Sequence, residues 1–251
     1  ALWGNMAHNK NKIVKISDSQ RAYNLRVEQF YQNSANEEYG RYNAQYAVPI
    51  SQYEEGQSLT SIWAVKSLGI DPTTGKEIFL NRDGSVSDTW NATQEVVVGN
   101  TEPKFNGSVG FNLAYKAWSL FAAFQYEWGG QEYNQTLVDR VEDADLSRNV
   151  DERVLKGRWQ KPGDHTFFKD IASRDRTEVT SRFVQDENVL QFKSLSLSYS
   201  FPQKWIKKMY MERMKLTFQM EDLFRISTVK RERGLDYPFA RTFNFGLQVQ
   251  F

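Results

Sequence analysis

The sequence predicts an all-β fold, a transmembrane antiparallel β-barrel with long extracellular loops, and three observations support this prediction. Several segments alternate apolar and polar residues with a period of two. Each full segment is close to the about 9–11 residues that a tilted strand needs to cross a bilayer. The links between the segments alternate strictly between short and long, as in outer-membrane barrels with short periplasmic turns.

Composition excludes several classes of function. The 251 residues include 32 basic and 31 acidic side chains, so no net charge favours nucleic acid as a partner. The absence of cysteine rules out disulfides, thiolate metal sites and cysteine nucleophiles. No apolar run is long enough for a membrane-spanning helix, and the first residues lack the layout of a signal peptide. Hydropathy alone would indicate a soluble protein, but barrel strands leave little trace in such an average.

Five alternating segments and the opening residues define the six predicted strands. The last, ARTFNFGLQVQF, has aromatic and aliphatic residues on one face and Thr, Asn, Gly and Gln on the other. Another, ENVLQFKSLSLSYSF, changes phase once, which predicts a one-residue bulge near Lys193 and Ser194 that turns Lys193 to the polar side. The opening residues ALWGNMA predict the end of a further strand. The predicted strands are 1–8, 104–115, 118–128, 188–201, 211–223 and 240–251.

The predicted links assign the two ends of the sheet to opposite sides of a membrane. Residues 116–117 and 202–210 make short links, which are expected in the periplasm. Residues 9–103, 129–187 and 224–239 make long links, which are expected at the cell surface. Within the first long link, the residues Asn81–Gly84 after EIFL predict a hairpin turn, with Asp-Gly supplying the positive φ.

A soluble sandwich or a lipocalin-like barrel is the alternative, because its strands show the same period with the apolar face inward. The polar faces favour the membrane barrel, since they are rich in Ser, Asn, Gln and Gly rather than Lys and Glu. The long links are unusual for a compact soluble domain. Aromatic residues also gather at strand ends, where an interfacial girdle would lie: Tyr115, Trp118, Trp128, Trp205, Tyr210, Tyr237 and Phe251.

No catalytic, cofactor or metal site is predicted. His8 and His165 are far apart in polar segments and are interpreted as loop histidines. The carboxylates Glu142, Asp143 and Asp145 could suggest calcium, but they lack the ordered spacing and turn glycine of a calcium loop. They are interpreted as part of a solvated loop helix. The segment KRERG (230–234) is interpreted as a solvated loop or a contact with anionic lipopolysaccharide, and not as a nucleic-acid site.

The substrate-binding residues stay unknown from sequence. Ligand contacts in a plugged barrel would come from surface loops and from positions that face the lumen. Aromatic residues in loops are more often packing residues than platforms for sugar rings. The candidates are the loop aromatics Trp63, Trp90, Trp159 and Tyr133 and the hydrogen-bonding residues Asn112, Gln125 and Gln219.

The chain end carries a pattern of polar-x-Gly-x-x-apolar-x-apolar. Asn244, Gly246, Val249 and Phe251 occupy its positions, and the last residue is aromatic. This pattern resembles the insertion signal recognised by the outer-membrane assembly machinery. The alternative is an ordinary strand at the edge of a sheet.

Longer phrases resemble the C-terminal portion of SusC/RagA-family TonB-dependent outer-membrane transporters of Bacteroides-like bacteria. The phrases cover essentially the whole chain and include AHNKNKIVKIS (7–17), VVVGNTEPKFNGSVGFNL (96–113), GGQEYNQTLVDRVEDADL (129–146) and the segment 211–251. The resemblance implies about the last six strands of a 22-stranded barrel in the outer membrane of a Gram-negative bacterium. The plug domain has no counterpart in the chain.

The resemblance also implies function and partners. It implies TonB-dependent import of bulky nutrients, with oligosaccharides favoured over peptides, under a SusD-like surface lipoprotein. The TonB complex would act through the absent N-terminal region. The upstream part of the same barrel is a further expected partner, because so few strands cannot close and an open edge in lipid leaves backbone groups unsatisfied. The alternatives are a non-transport surface-binding or structural protein of the outer membrane and, more remotely, a soluble β-sheet binding module.

Overall fold

The computed structural model describes residues 1–34, 52–173, 175–230 and 241–251. These residues form two compact units. The first unit comprises Ala1–Asn9, Pro103–Gly130 and Glu187–Phe251, and the second comprises Lys10–Glu102 and Gln131–Asp186. Within the described ranges, no helix combines the length and the apolar character needed to cross a membrane.

The first unit is built on a sheet of six strands. The strands are β1 (Leu2–Ala7), β6 (Phe105–Tyr115), β7 (Trp118–Tyr133), β8 (Val184–Ser200), β9 (Arg213–Ser227) and β10 (Thr242–Gln250). Their order in the sheet is β1-β6-β7-β8-β9-β10, and the pairs β1–β6, β6–β7, β8–β9 and β9–β10 are antiparallel. Each strand overlaps one of the predicted segments, and β7, β8 and β9 are longer than predicted.

Each of the two short links of this sheet contains a residue with a positive φ. Lys116 has a φ of 52° in the link between β6 and β7. Between β8 and β9, the helix α3 (Gln203–Ile206) continues into a 3₁₀ turn (Lys207–Met209), and Tyr210 has a φ of 57°. The side chain of Ile206 is buried under this link and fixes it to the sheet.

The bulge predicted near Lys193 and Ser194 is confirmed in position. Phe192 pairs with Phe224 and Ser194 pairs with Glu221, so two steps along β8 match three along β9. The extra residue therefore lies on β9 and not on β8, and Asp222 takes it up with a φ of 48°. Phe192 stacks on Phe124 and Tyr199 contacts Trp118, and the two β7 residues share a face. Phe192 and Tyr199 therefore lie on the same face of the sheet, although one has an even and the other an odd position in the chain.

The second unit shows that the segment predicted only as a long link is largely folded. It contains α1 (Asp18–Ser34) and the four strands β2 (Ser61–Ile70), β3 (Glu77–Leu80), β4 (Val86–Ser87) and β5 (Glu95–Asn100). These strands form a sheet of order β4-β3-β2-β5. In β2 the consecutive residues Ile62, Trp63, Ala64 and Val65 are all buried, so this strand lacks the alternation on which the prediction depended.

The hairpin predicted at Asn81–Gly84 is confirmed. Gly84 has a φ of 84° and its N–H donates to the carbonyl of Asn81 over 3.0 Å. The Asp83 carboxylate accepts from the N–H of Ser85, and β3 and β4 pair on either side of the turn.

Residues 134–183 of the second unit carry short helical segments. They are α2 (Gln135–Leu137), a π-helical turn (Val138–Glu142) and the 3₁₀ turns Glu152–Leu155 and Ser181–Phe183. Val138, Val141, Val154, Val179 and Phe183 are buried and form the core of this part.

Candidate functional site

One face of the six-stranded sheet is apolar and exposed. Leu113 pairs with Leu120, and Leu216 pairs with both Tyr199 and Leu247, so these side chains share faces across the sheet. Leu247 is 58% exposed and Phe245 is 76% exposed. A continuous apolar surface of this kind indicates a contact with a membrane or another protein.

The opposite face is polar and holds a cavity. Asn5 pairs with Ser108 and Ser108 pairs with Gln125, which places all three side chains on one face. The cavity has a volume of about 460 Å³. It is lined by Asn5, Met6, Ala7, Asn106, Gly107, Ser108, Gln125 and Glu127.

An aromatic pair that sequence reasoning did not single out lies on the same polar face. The rings of Trp3 and Phe121 are 6.3 Å apart and nearly parallel, at 13°. Gly110 lies beneath Trp3, and a Cβ at this position would be 2.4 Å from the indole ring. The glycine therefore makes room for the indole ring against the sheet. The structure pairs Trp3 with this glycine, and the sequence could not predict the pairing because the opening strand is too short to reveal its register.

Asn244, Gly246 and Val249 of the terminal pattern lie on β10, which pairs along its length with β9, and Phe251 directly follows the strand. Gly246 is opposite Thr217, and a Cβ at Gly246 would come no closer than 4.0 Å to the Thr217 carbonyl. Phe251 is 81% exposed. The described structure therefore gives no packing reason for glycine at 246 or an aromatic residue at 251.

The carboxylate Glu142, predicted to lie in a solvated loop helix, is instead buried in an ion-pair network. Arg182 Nη2 lies 2.9 Å from Glu142 and 2.7 Å from Glu77, and its guanidinium faces the Phe183 ring at 4.5 Å. Burial lowers the pKa of Arg182, but the two carboxylates outweigh this effect and hold it above its ordinary value. The prediction was wrong because Val138 and Val141, on the same π-helical turn, draw Glu142 into the core.

The neighbouring carboxylate Asp143 also forms an ion pair and accepts a hydrogen bond. Lys169 Nζ lies 2.8 Å from Asp143, and the N–H of Thr177 donates to the same carboxylate over 2.7 Å. Arg158 donates to the carbonyl of Glu142 over 2.9 Å. Among the described residues, no group of three or more His, Asp or Glu side chains could hold a metal ion.

The four aromatic residues considered as candidate sugar platforms serve mainly as packing residues, and two of them, Trp63 and Tyr133, lie on strands and not in loops. Trp63 is buried and its Nε1 donates to the Gln52 carbonyl over 3.1 Å. Trp90 and Trp159 donate to the carbonyls of Val179 and Pro72. Burial raises the pKa of Tyr133, and its ring packs edge-on against Phe183 at 6.2 Å.

The remaining candidates do not converge on one site. His8 contacts the Lys104 carbonyl and packs on Phe105, whereas His165 is an exposed residue of the second unit. Asn112 and Gln125 lie on the polar face with the aromatic pair, and Gln219 pairs with Ser196 and Asn244. Tyr237 and most of KRERG, at 231–234, lie outside the described residues.

No protein-family model matches the chain. The TonB-dependent receptor P3 of Formosa agariphila is 24% identical over 284 residues, which cover 98% of this chain and 26% of that protein. The predicted resemblance to TonB-dependent receptors is confirmed. Because the match covers almost the whole chain, the similarity to a TonB-dependent receptor includes both units.

Two solved structures share the fold. A structure titled as the RagAB peptide transporter has a TM-score of 0.63 at 18% identity, covering 82% of this chain and 24% of that one. The RagAB peptide importer in the 'open-open' state has a TM-score of 0.60 at 19% identity, covering 76% and 22%. This chain therefore spans about a quarter of the length of these TonB-dependent receptor relatives and structural neighbours.

Proposed function

We propose that this chain supplies the last strands of an outer-membrane barrel that imports bulky nutrients by a TonB-dependent mechanism. The observation that carries the proposal is the division of one sheet into an exposed apolar face and a polar face with a cavity. A bilayer would cover the first face and a hydrated, plugged lumen would meet the second. The similarity to TonB-dependent receptors supports the same assignment.

The two outermost strands of the sheet support the proposal that further strands complete a barrel. Within the described structure, β1 and β10 are the outermost strands. An unpaired strand edge in lipid would cost several kcal/mol for each unsatisfied backbone group. We therefore propose that the upstream part of the same barrel, of about 22 strands in total, closes on these edges.

Oligosaccharides are the proposed substrate class, and the parallel Trp3–Phe121 pair on the polar face supports this choice. Flat aromatic surfaces flanked by amide and hydroxyl groups suit sugar rings, and Asn112 and Ser108 lie on the same face. Peptides are the second candidate, because the structures with the same fold are titled as peptide importers. A SusD-like lipoprotein and the TonB complex are proposed as partners.

The test uses a strain that lacks the full-length receptor. We expect it to lose growth on one class of oligosaccharides or peptides, and to grow normally on the corresponding monomers. Deletion of the energy complex or of the partner lipoprotein should give the same loss, because import needs both. Uptake that persists without the energy complex would contradict the proposal and favour a passive pore or a surface-binding protein.

We also propose that Asn244, Gly246, Val249 and Phe251 form a barrel-assembly signal. Packing gives no reason for Gly246 or Phe251, which supports a role in recognition during insertion. Phe251→Ala should lower the amount of receptor inserted in the outer membrane, measured by heat-modifiable mobility. Gln248→Ala, on the polar face of the same strand, is the matched control. Equal insertion of the two variants would favour an ordinary edge strand.

A further inference from the structure

The end of the six-stranded sheet that carries the short links is basic. This rim consists of residues 112–118, 198–215 and 249–251, and its one acidic side chain is Glu212. Its basic side chains are Lys116, Lys204, Lys207, Lys208, Arg213 and Lys215. Farther from this rim, Arg225 pairs with Glu187 at 2.8 Å and Lys193 pairs with Asp222 at 3.4 Å.

Three of these lysines are grouped by the helical turn between β8 and β9. Lys204, Lys207 and Lys208 are spaced i, i+3 and i+4, which brings their side chains to one face of a helical turn. All three are exposed, and none has an ion-pair partner among the described residues. Like charges at this spacing destabilise a helix, so a bound anion would relieve their repulsion.

The turn that carries the lysines is held in place. The Met211 N–H donates to the Ile206 carbonyl over 3.2 Å, and Gln203 Nε2 donates to the Glu212 carbonyl over 3.0 Å. Ile206 is 1% exposed. The backbone under the lysines is therefore ordered by the fold, and binding would need to order only their side chains.

Exposed aromatic side chains surround the lysines. Trp205 is 57% exposed and Tyr210 is 93% exposed. On the adjacent link, Lys116 Nζ lies 5.2 Å from the centre of the Tyr115 ring. Amphipathic aromatic rings are enriched at the interface between membrane and water, and lysines beside them reach the headgroups.

We propose that Lys204, Lys207 and Lys208 bind the phosphate headgroup of an anionic phospholipid in the periplasmic leaflet of the outer membrane. This inference rests on the proposed barrel and its orientation. The charge of the rim complements the headgroup, and Trp205 and Tyr210 lie where its glycerol region would be. The binding site belongs to the full-length receptor in its membrane, and it does not involve the imported nutrient.

The test is native mass spectrometry of the purified full-length receptor in detergent, titrated with cardiolipin, phosphatidylglycerol or phosphatidylcholine of the same acyl chains. We expect the two anionic lipids to bind more tightly than phosphatidylcholine. Each lysine near an anionic surface contributes about fivefold in affinity. The triple variant K204Q/K207Q/K208Q should therefore weaken cardiolipin binding by on the order of 100-fold.

The triple variant K10Q/K12Q/K15Q is the control, because it removes the same charge from three exposed lysines of the second unit. It should leave cardiolipin binding unchanged. Inorganic phosphate at millimolar concentration should not displace the lipid, since it lacks the acyl chains that hold the headgroup at the rim. Equal binding by the two triple variants, no preference for anionic lipid, or full displacement by phosphate would each overturn the proposal.

Failure of this inference is distinguishable from failure of the proposed function. A receptor that inserts in the outer membrane but binds all phospholipids alike contradicts only the lipid site. A receptor that does not insert, assayed by heat-modifiable mobility of the unmodified protein, contradicts the barrel itself.

Discussion

At the scale of single residues, Arg182 should have a large effect on the stability of the second unit. Its side chain is 4% exposed and forms ion pairs with Glu77 and Glu142, which come from distant parts of the chain. Three buried atoms nearby, Glu77 Oε1, Glu142 Oε2 and Arg182 Nε, make no hydrogen bond of their own. The network is therefore incompletely satisfied even in the folded state, and Arg182 is the cation that its two carboxylates share.

Arg182→Met should destabilise the second unit by about 3–5 kcal/mol, because it removes the ion-pair partner of two buried carboxylates. Limited proteolysis of the full-length receptor should show faster cleavage within 129–187. Arg148→Met is the control, since Arg148 pairs with Asp145 at an exposed position. Cleavage at the same rate in both variants would contradict the structural role of the network.

Glu95 should make the stability of the same unit depend on pH. Burial raises the pKa of its carboxyl to about 7, although Arg82 and the hydrogen bond from Gln52 oppose the shift. Since the folded state holds this proton more tightly than the unfolded state, stability falls as pH rises from about 4.5 through 7. Glu95→Gln should slow proteolysis at pH 8 and have little effect at pH 5. A variant that is no more resistant than the original at pH 8 would show that Glu95 is not the responsible group.

At the scale of elements, β10 gives the sharpest test of the two faces. Leu247 and Gln248 are adjacent, and their side chains lie on opposite faces of the sheet. Leu247→Arg should cost about 2–4 kcal/mol in a bilayer, whereas Gln248→Arg should cost little because its side chain would meet water. Urea titration of the receptor folded into vesicles measures both. Equal costs would mean that the assignment of faces is wrong and would favour a soluble sheet.

Strands with alternating residues could be predicted from sequence, and those without alternation could not. The terminal segment 240–251 alternates throughout, and β10 lies within it. In β2, Ile62 to Val65 are buried on both faces of the strand. The strand therefore has no alternation of apolar and polar residues, and the sequence could not predict it. The ion pairs of Arg182 could not be predicted from the sequence either. Glu77, Glu142 and Arg182 are separated by long stretches of chain, and only the fold brings them together.

At the scale of the whole molecule, orientation in the membrane is the main open prediction. The chain has no cysteine, so a single introduced cysteine is a clean probe of sidedness. In intact cells, a cysteine at position 145 should react with a membrane-impermeant reagent, and one at position 207 should not. Permeabilised cells provide the control, because both positions are exposed and should then react. Labelling of 207 but not 145 in intact cells would reverse the predicted topology.

The extra residue on β9 has a consequence for how the chain tolerates changes in length. Phe224 and Ile226 follow Asp222, and the same strand carries Leu216 and Phe218 before it. Deletion of Asp222 would leave two steps on each strand between the pairs Phe192–Phe224 and Ser194–Glu221, so the later residues of β9 could keep their partners on β8. Deletion of Gln219, where the register is regular, would instead turn the residues on one side of the gap to the opposite face of the sheet. A single-codon deletion should therefore be better tolerated at Asp222 than at Gln219.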